Sequence, residues 1–301
     1  MKSIFKVLSI LAAALCMIAC GEKEGPAETP NDQNQEQEEG NKPSKMFKIT
    51  AMSFNIKYPS SEDTGVKAWD NRKVGIIEML MTKEPDLVGL QECYIKQRTF
   101  IVENLPHYDC YGLVRNNGTN EGSGETMSIL WNKNKFEKLE CGTFWLSETP
   151  DTPSKGWGAG NYRTCTWILF QHKETGKKFY HFNTHLDHAK AEAQTGGASL
   201  IRERMNSLNK EGYPVILTGD MNVAMNSPVC ALFEMDHARA EAPETDYKTT
   251  CHGYGSKTQV IDHILYSGLE PWLFQTVTGP WAGYTYISDH NPVMAQLRYH
   301  Y

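Results

Sequence analysis

The chain has 301 residues, a formal charge of −6 and 40% hydrophobic residues, enough apolar material for a folded core. No basic stripe stands out along it, which disfavours tight, sequence-independent binding to nucleic acid through many phosphate contacts. Its eight cysteines form no CxxC pair, which disfavours a thiolate metal site as well.

In chain order, residues 1–19 read as a signal segment. Lys2 and Lys6 precede an apolar run over residues 7–19, and Cys20 follows Ile18 and Ala19 directly. The run is too short for a spanning helix, which needs about 20 apolar residues. It looks like a bacterial lipoprotein signal, in which a lipidated Cys20 becomes the first mature residue and tethers the protein to the outer membrane, on its periplasmic or outward side. A plain secretory signal is the alternative. Residues 20–45 hold seven acids against three bases and almost nothing apolar, the composition of a flexible linker. Residues 46–301 show no repeat and no internal linker, so one large domain acting as a monomer is expected.

Within that domain, residues 48–58 read as a buried strand, and residues 69–81 as a helix with Trp69, Lys73, Ile76, Ile77 and Leu80 recurring at helical spacing. A strand over 86–90 ends at Gln91 and Glu92, and residues 95–105 read as helical. Strand-like runs follow at 108–114, 126–131, 136–145, 164–171 and 178–186. A helix is expected over 198–209, starting after Gly196 and Gly197, because each glycine costs about 1 kcal/mol in a helix interior. Further strands fall at 214–218, 260–266, 272–278 and 293–299. Many strands with few helices interleaved predict two packed sheets with helices outside.

Six places set a polar group at a strand end where packing would prefer an apolar one: Asn55, Glu92, His185, Asp220 with Asn222, Asp262, and Asp289 with His290. At strand ends such groups can converge on one rim of a sandwich. Two residues apart on an extended segment, Asp220 and Asn222 would present oxygens to one side; taken alone, Gly219, Asp220 and Asn222 also read as a tight turn. Carboxylates, amides and imidazoles together suit a hard metal and a phosphate ester.

These stretches read Met52-Ser53-Phe54-Asn55-Ile56, Gly89-Leu90-Gln91-Glu92, Asn183-Thr184-His185-Leu186-Asp187, Gly219-Asp220-Met221-Asn222, Ile261-Asp262-His263-Ile264 and Ser288-Asp289-His290-Asn291-Pro292. In this order they resemble the endonuclease/exonuclease/phosphatase superfamily. The resemblance implies an α+β fold, the four-layer sandwich of the deoxyribonuclease I type, and a divalent metal, usually Mg2+ with Mn2+ as a substitute. It implies Glu92, Asn55 and Asp289 at the metal and Asp220 orienting the attacking water. It also implies Asn222 donating to a phosphate oxygen, His290 paired with Asp262, and His185 as a second histidine partnered by Glu125. Arg163 stands where relatives carry a phosphate-facing base, with a structural salt bridge as its other reading. Trp157 and Trp281, on loops flanking the motifs, are candidates for substrate contact. Relatives often carry an arginine in a well-formed helix after Asp187, whereas this chain has Gly196 and Gly197, which puts the wall beside His185 in doubt.

The function this implies is metal-dependent hydrolysis of phosphate esters, with a phosphodiester first and a phosphomonoester, phospholipid or sugar phosphate on the same site as the runner-up. A non-catalytic surface-binding lipoprotein is the rival outside enzymology.

Overall fold

The computed structural model describes residues 45–301. The signal segment, Cys20 and the linker, save Lys45, lie outside the described residues. In chain order the described part forms β1 (Met46–Asn55), α1 (Trp69–Lys83), β2 (Leu87–Gln91), β3 (Cys93–Tyr94), α2 (Ile95–Asn104), β4 (Tyr108–Tyr111), β5 (Glu125–Thr126), β6 (Ile129–Asn132), β7 (Phe136–Trp145), β8 (Thr164–His172), β9 (Lys178–His185), α3 (Ala191–Leu208), β10 (Val215–Asp220), α4 (Pro228–Ala231), β11 (Asp236–His237), α5 (Ala238–Glu241), β12 (Asp262–Ser267), β13 (Glu270–Thr276) and β14 (Val293–His300).

Two six-stranded sheets result, ordered β13-β14-β1-β2-β6-β4 and β11-β12-β10-β9-β8-β7, with β3 and β5 as a separate ribbon. Both large sheets are mixed: β1 runs parallel to β2 and β9 parallel to β10, while the other pairings are antiparallel. The fold is α+β, two mixed sheets face to face with α1 and α2 on one outer face and α3 on the other.

Strand alternation explains both the core and the site. Along β1, Ile49 and Ala51 enter the core between the sheets, while Met52 and Phe54 pack outward under α1 and α2. Along β10, Ile216 faces inward and Val215 and Leu217 face α3. On β9, Phe179 points inward and Tyr180 and Phe182 outward. Continuing each inward row by twos leads through Ser53, Thr218, His181 and Asn183 to Asn55, Asp220 and His185. The interior is therefore apolar at one end, hydrogen-bonded in the middle and ionisable at the other. In the middle layer the Gln91 amide donates to Asn183 Oδ1 at 2.7 Å, Asn183 donates to the carbonyls of Leu90 and Ser128, and His181 Nε2 lies 2.9 Å from Thr218 Oγ1. Gly89 makes this layer possible, because a Cβ there would lie 2.0 Å from Thr218 Oγ1.

The third helix departs from expectation. It runs unbroken from Ala191 to Leu208, with Gly196 and Gly197 inside it rather than ahead of it. The reason is packing: a Cβ on Gly196 would sit 2.4 Å from the Trp157 ring, and one on Gly197 would press on Leu146 and Leu186. Close approach of the indole and the sheet offsets the propensity cost. Upstream, Asp187 Oδ1 accepts the backbone N–H groups of Ala189 and Lys190, and Gln194 donates to the Asp187 carbonyl. The helix after Asp187 is thus well formed, with the two glycines inside it.

The six cysteines among the described residues, Cys93, Cys110, Cys141, Cys165, Cys230 and Cys251, are all free thiols.

Candidate functional site

Strand direction sets the site. β1, β2, β9 and β10 end at one rim, and β12 and β14 begin there. Register then aligns the groups: Asp220 sits opposite His185 on its parallel neighbour and opposite Asp262 on its antiparallel one, so three adjacent strands present ionisable residues at one level. Across the sandwich, Asn55 ends β1, and its amide donates to Asp220 Oδ2 and to Glu92 Oε1, each at 3.0 Å. One side chain therefore joins the two sheets at this rim.

His290, just ahead of β14, places Nδ1 2.8 Å from Asp262 Oδ2 and Nε2 3.8 Å from Asp220 Oδ2. Burial alone would lower the His290 pKa, but the charge and hydrogen bond of Asp262, with Asp220 behind, raise it well above its ordinary value. The ring is an imidazolium at neutral pH. Asp220 is pushed up to about 7, by burial first and by the charge of Asp262 second, with His290, Asn55 and the Asn222 backbone N–H pulling the other way. His185 has Nε2 3.5 Å from Asp220 Oδ2, and burial followed by the charges of Arg163 and Arg115 holds its pKa well below the usual value. It is a neutral imidazole. The ligand atoms of Asp220, Asp262 and His290 lie within 4.8 Å of one another, close enough for this buried cluster to hold a metal ion.

The two carboxylates expected at a metal stand half-exposed beside this network. Glu92 adopts φ +56°, a strained conformation for a residue with a side chain. Asp289 anchors a neighbouring turn, its carbonyl accepting from the backbone N–H groups of His252 and Gly253. The charges of both acids act on the buried Arg72 guanidinium and on the Tyr254 phenol, which puts them in one electrostatic neighbourhood. Asn55 is brought to the same place, yet its oxygen is turned away: Oδ1 accepts the Lys57 backbone N–H at 3.0 Å, and only the NH2 faces the acids. A reversed amide would set two donors against each other at Lys57. Asn55 therefore links the two carboxylates through its nitrogen while Lys57 holds its oxygen.

Asn222 corrects the sequence picture. The strand stops at Asp220, and Asn222 has φ +53°, with its backbone N–H donated to Asp220 Oδ1 at 3.0 Å. A side-chain-to-backbone turn, and not strand alternation, sets this pair. The Asn222 amide donates to the Leu186 carbonyl at 3.0 Å, which leaves its second hydrogen free. Glu125 does not partner His185. It meets Arg115 side-on, with Nη2 donating to Oε1 at 2.7 Å and Nη1 lying 2.6 Å from Oε2. Among the described residues, His185 Nδ1 has no hydrogen-bond partner.

Arg163 is 5% exposed, with Nη2 3.0 Å from His188 Nδ1 and Nε 3.5 Å from Asp187 Oδ2. Its Nε and Nη1 make no hydrogen bond among the described residues, and the charge of Asp220 acts on it. Trp157 is packed on Gly196 and the outer core beneath α3. Trp281 sets its carbonyl and Cβ against Gly75 of α1 and packs on the outer core beneath α1 and α2. The structure thus gives both residues packing partners.

Two arginines were not singled out from sequence. Arg72, wholly buried on α1, donates to the carbonyls of Ile56, Lys57, Lys67 and Ile287, fastening the loop after Asn55 to the one before Asp289. Nothing in the helical pattern flags it, since an arginine on a helix usually faces water. Arg115 belongs to a loop with no motif around it.

A model of the endonuclease/exonuclease/phosphatase family matches residues 52–290. The chain is 32% identical to an endonuclease/exonuclease/phosphatase family protein from Bacteroides thetaiotaomicron, whose crystal structure superimposes with a TM-score of 0.78 over 85% of this chain and 99% of that one. It is also 32% identical to a mannosyl-6-phosphatase of the same organism, with a TM-score of 0.76 over 83% and 99% of the two chains. An uncharacterized protein of Acanthamoeba polyphaga mimivirus is 32% identical over 164 residues, 52% of this chain and 60% of that protein's length. With the six motifs converging on one rim of two mixed sheets, the chain belongs to the endonuclease/exonuclease/phosphatase family, a family of phosphoester hydrolases.

Proposed function

We propose that this protein hydrolyses phosphomonoesters with the help of a divalent cation of the magnesium class. The observation that carries the reading is Arg163, buried near Asp220 with its Nη1 unpartnered. A monoester dianion carries one charge more than a diester, and fixed donors of this kind compensate it. The likeness to a mannosyl-6-phosphatase supports the same choice over the diester that the motifs alone favoured.

Glu92 and Asp289 fit a hard cation, because half-exposed carboxylate oxygens beside open water suit magnesium, which keeps several waters. The Asp220, Asp262 and His290 group fits it less well, since a protonated His290 repels a cation and has no lone pair to give. Bound at Glu92 and Asp289, the ion would neutralise charge on phosphoryl oxygens.

The chain's own groups do the rest. Asp220, oriented by Asn55 and the Asn222 backbone and titrating near neutrality, aims a water at phosphorus and takes its proton. Neutral His185, the free Asn222 hydrogen and Arg163 donate to phosphoryl oxygens. The His290 imidazolium, kept charged by Asp262, stabilises the growing negative charge.

The test is turnover of a chromogenic monoester and the matching diester by the full-length chain, with Mg2+ and with chelator, in 18O-labelled water. The expected result is chelator-sensitive release of singly labelled phosphate from the monoester. Faster cleavage of the diester, or label in the alcohol, would refute the proposal.

A further inference from the structure

Beside the catalytic rim lies a cavity of about 350 Å³ whose walls are polar: Arg115 and Glu125 on one side, Tyr94 at the ribbon, and Lys155, Asn161 and Tyr162 on the loop leading to β8. It adjoins the chemistry. Tyr94 pairs with Glu125 across the β3–β5 ribbon, which begins one residue after Glu92, and Tyr162 immediately precedes Arg163. The charge of Glu125 acts on Arg163.

The two arginines differ in what they have left to give. Arg163 keeps Nη1 unpartnered while its Nε faces the Asp187 carboxylate. Arg115 meets both oxygens of Glu125, which cancels its charge across the cavity wall. Lys155 is also engaged: Nζ donates to the Gly160 carbonyl at 2.7 Å and lies 5.4 Å from the Tyr162 ring centre. What remains is a wall of donors and acceptors in which Lys155 is the one charge without a counter-ion among the lining residues, flanked by two tyrosine rings. Glu125 Oε2 is buried against Arg115 Nη1, 2.6 Å away, so this oxygen is closed off by the pair. The loop is preformed, because Trp145 Nε1 donates to the Arg115 carbonyl at 2.6 Å and the Arg115 N–H to the Glu125 carbonyl at 2.9 Å. The volume lies at the lower end for small-molecule sites, enough for one ring-sized group and too small for an oligonucleotide.

Resting on the phosphomonoester reading above, we infer that this cavity binds the alcohol half of the substrate and that this half is a neutral polyhydroxylated ring, a monosaccharide. Its hydroxyls donate to Glu125 and accept from Arg115 and Asn161. An apolar face lies against Tyr162. Phosphate and sugar are thus divided between the two arginines.

The experiment compares kcat/KM for a hexose 6-phosphate and for 4-nitrophenyl phosphate, which has no hydroxyls, in the full-length chain and in Tyr162→Ala and Asn161→Ala. Both positions lie on an exposed loop, and two variants guard against misfolding in one. The hexose-to-aryl ratio should fall about tenfold or more in each, through KM. An unchanged ratio overturns the inference while leaving phosphomonoester hydrolysis standing. Binding of free hexose, followed by saturation-transfer NMR, needs no turnover: signal in wild type and its loss in Tyr162→Ala is expected. Absence of that signal in wild type, or its displacement by inorganic phosphate alone, would show an anion site instead and overturn the sugar assignment.

Discussion

Replacing Asp262 by asparagine keeps a hydrogen-bonding group against His290 Nδ1, 2.8 Å away, and removes only the charge. Two unit charges about 4 Å apart at an effective dielectric constant of about 20 interact by about 4 kcal/mol. Removing the Asp262 charge takes away the largest cause that raises the His290 pKa, which should therefore fall. Asp220 responds in the same direction, because after burial the Asp262 charge is the largest cause of its rise to about 7. The ionised base and the imidazolium are both needed, so the bell of kcat/KM against pH should move bodily to lower pH in Asp262→Asn. Turnover at neutral pH should drop by roughly 10²- to 10⁴-fold, the usual span for a lost acid–base element. The assay is initial rate against pH, with circular dichroism to verify folding. A bell that stays in place, or moves to higher pH, refutes the coupling of Asp262 to both groups.

The remaining predictions concern stability. Gly89→Ala forces a methyl into Thr218 and Asn183 at the join of the two sheets. Overpacking of about 1–3 kcal/mol and at least one broken buried hydrogen bond of about 1–3 kcal/mol should together show as a lowered urea midpoint; a loss under about 1 kcal/mol contradicts the geometry. His263 is buried and held down to about 4 from an ordinary 6.5, burial being the first cause. A lowered histidine contributes stability that is present above pH 6.5 and lost as pH falls toward 4. His263→Gln, which can keep the bond to the Val223 carbonyl, should flatten that fall in a denaturation series. Asp220, raised in the fold, acts in the opposite sense between pH 4 and 7, so the difference between variant and wild type is the quantity to read; equal slopes contradict the argument.

Much of the sandwich was legible because its strands carry period-two or continuous apolar runs, and the β7 bounds match the sequence reading at both ends. Helix α3 was misjudged at its start, because propensity counts what a glycine costs and not the Trp157 ring that needs it. The site residues were visible as polar intruders at strand ends, and strand register is what lines up His185, Asp220 and Asp262. Local geometry was less visible. Asn222, for which the sequence allows an extended segment or a tight turn, lies in a left-handed turn; Asn55, expected at the metal, turns its nitrogen to the acids; Glu125, expected beside His185, meets Arg115. Each of these depends on one neighbouring hydrogen-bond partner, Asp220, Lys57 or Arg115, that spacing in sequence cannot place. Arg72 and Arg115 carry no motif, and their roles come from loops that fold over them.

The most direct measurement is single-turnover hydrolysis of a phosphomonoester by Asp220→Ala beside wild type, with both shown to be folded by their thermal midpoints. A fall of about 10³-fold or more is predicted, since the water would lose both its base and its aim. A variant within about fivefold of wild type would mean that the carboxylate at the meeting point of the two sheets is not where the chemistry happens.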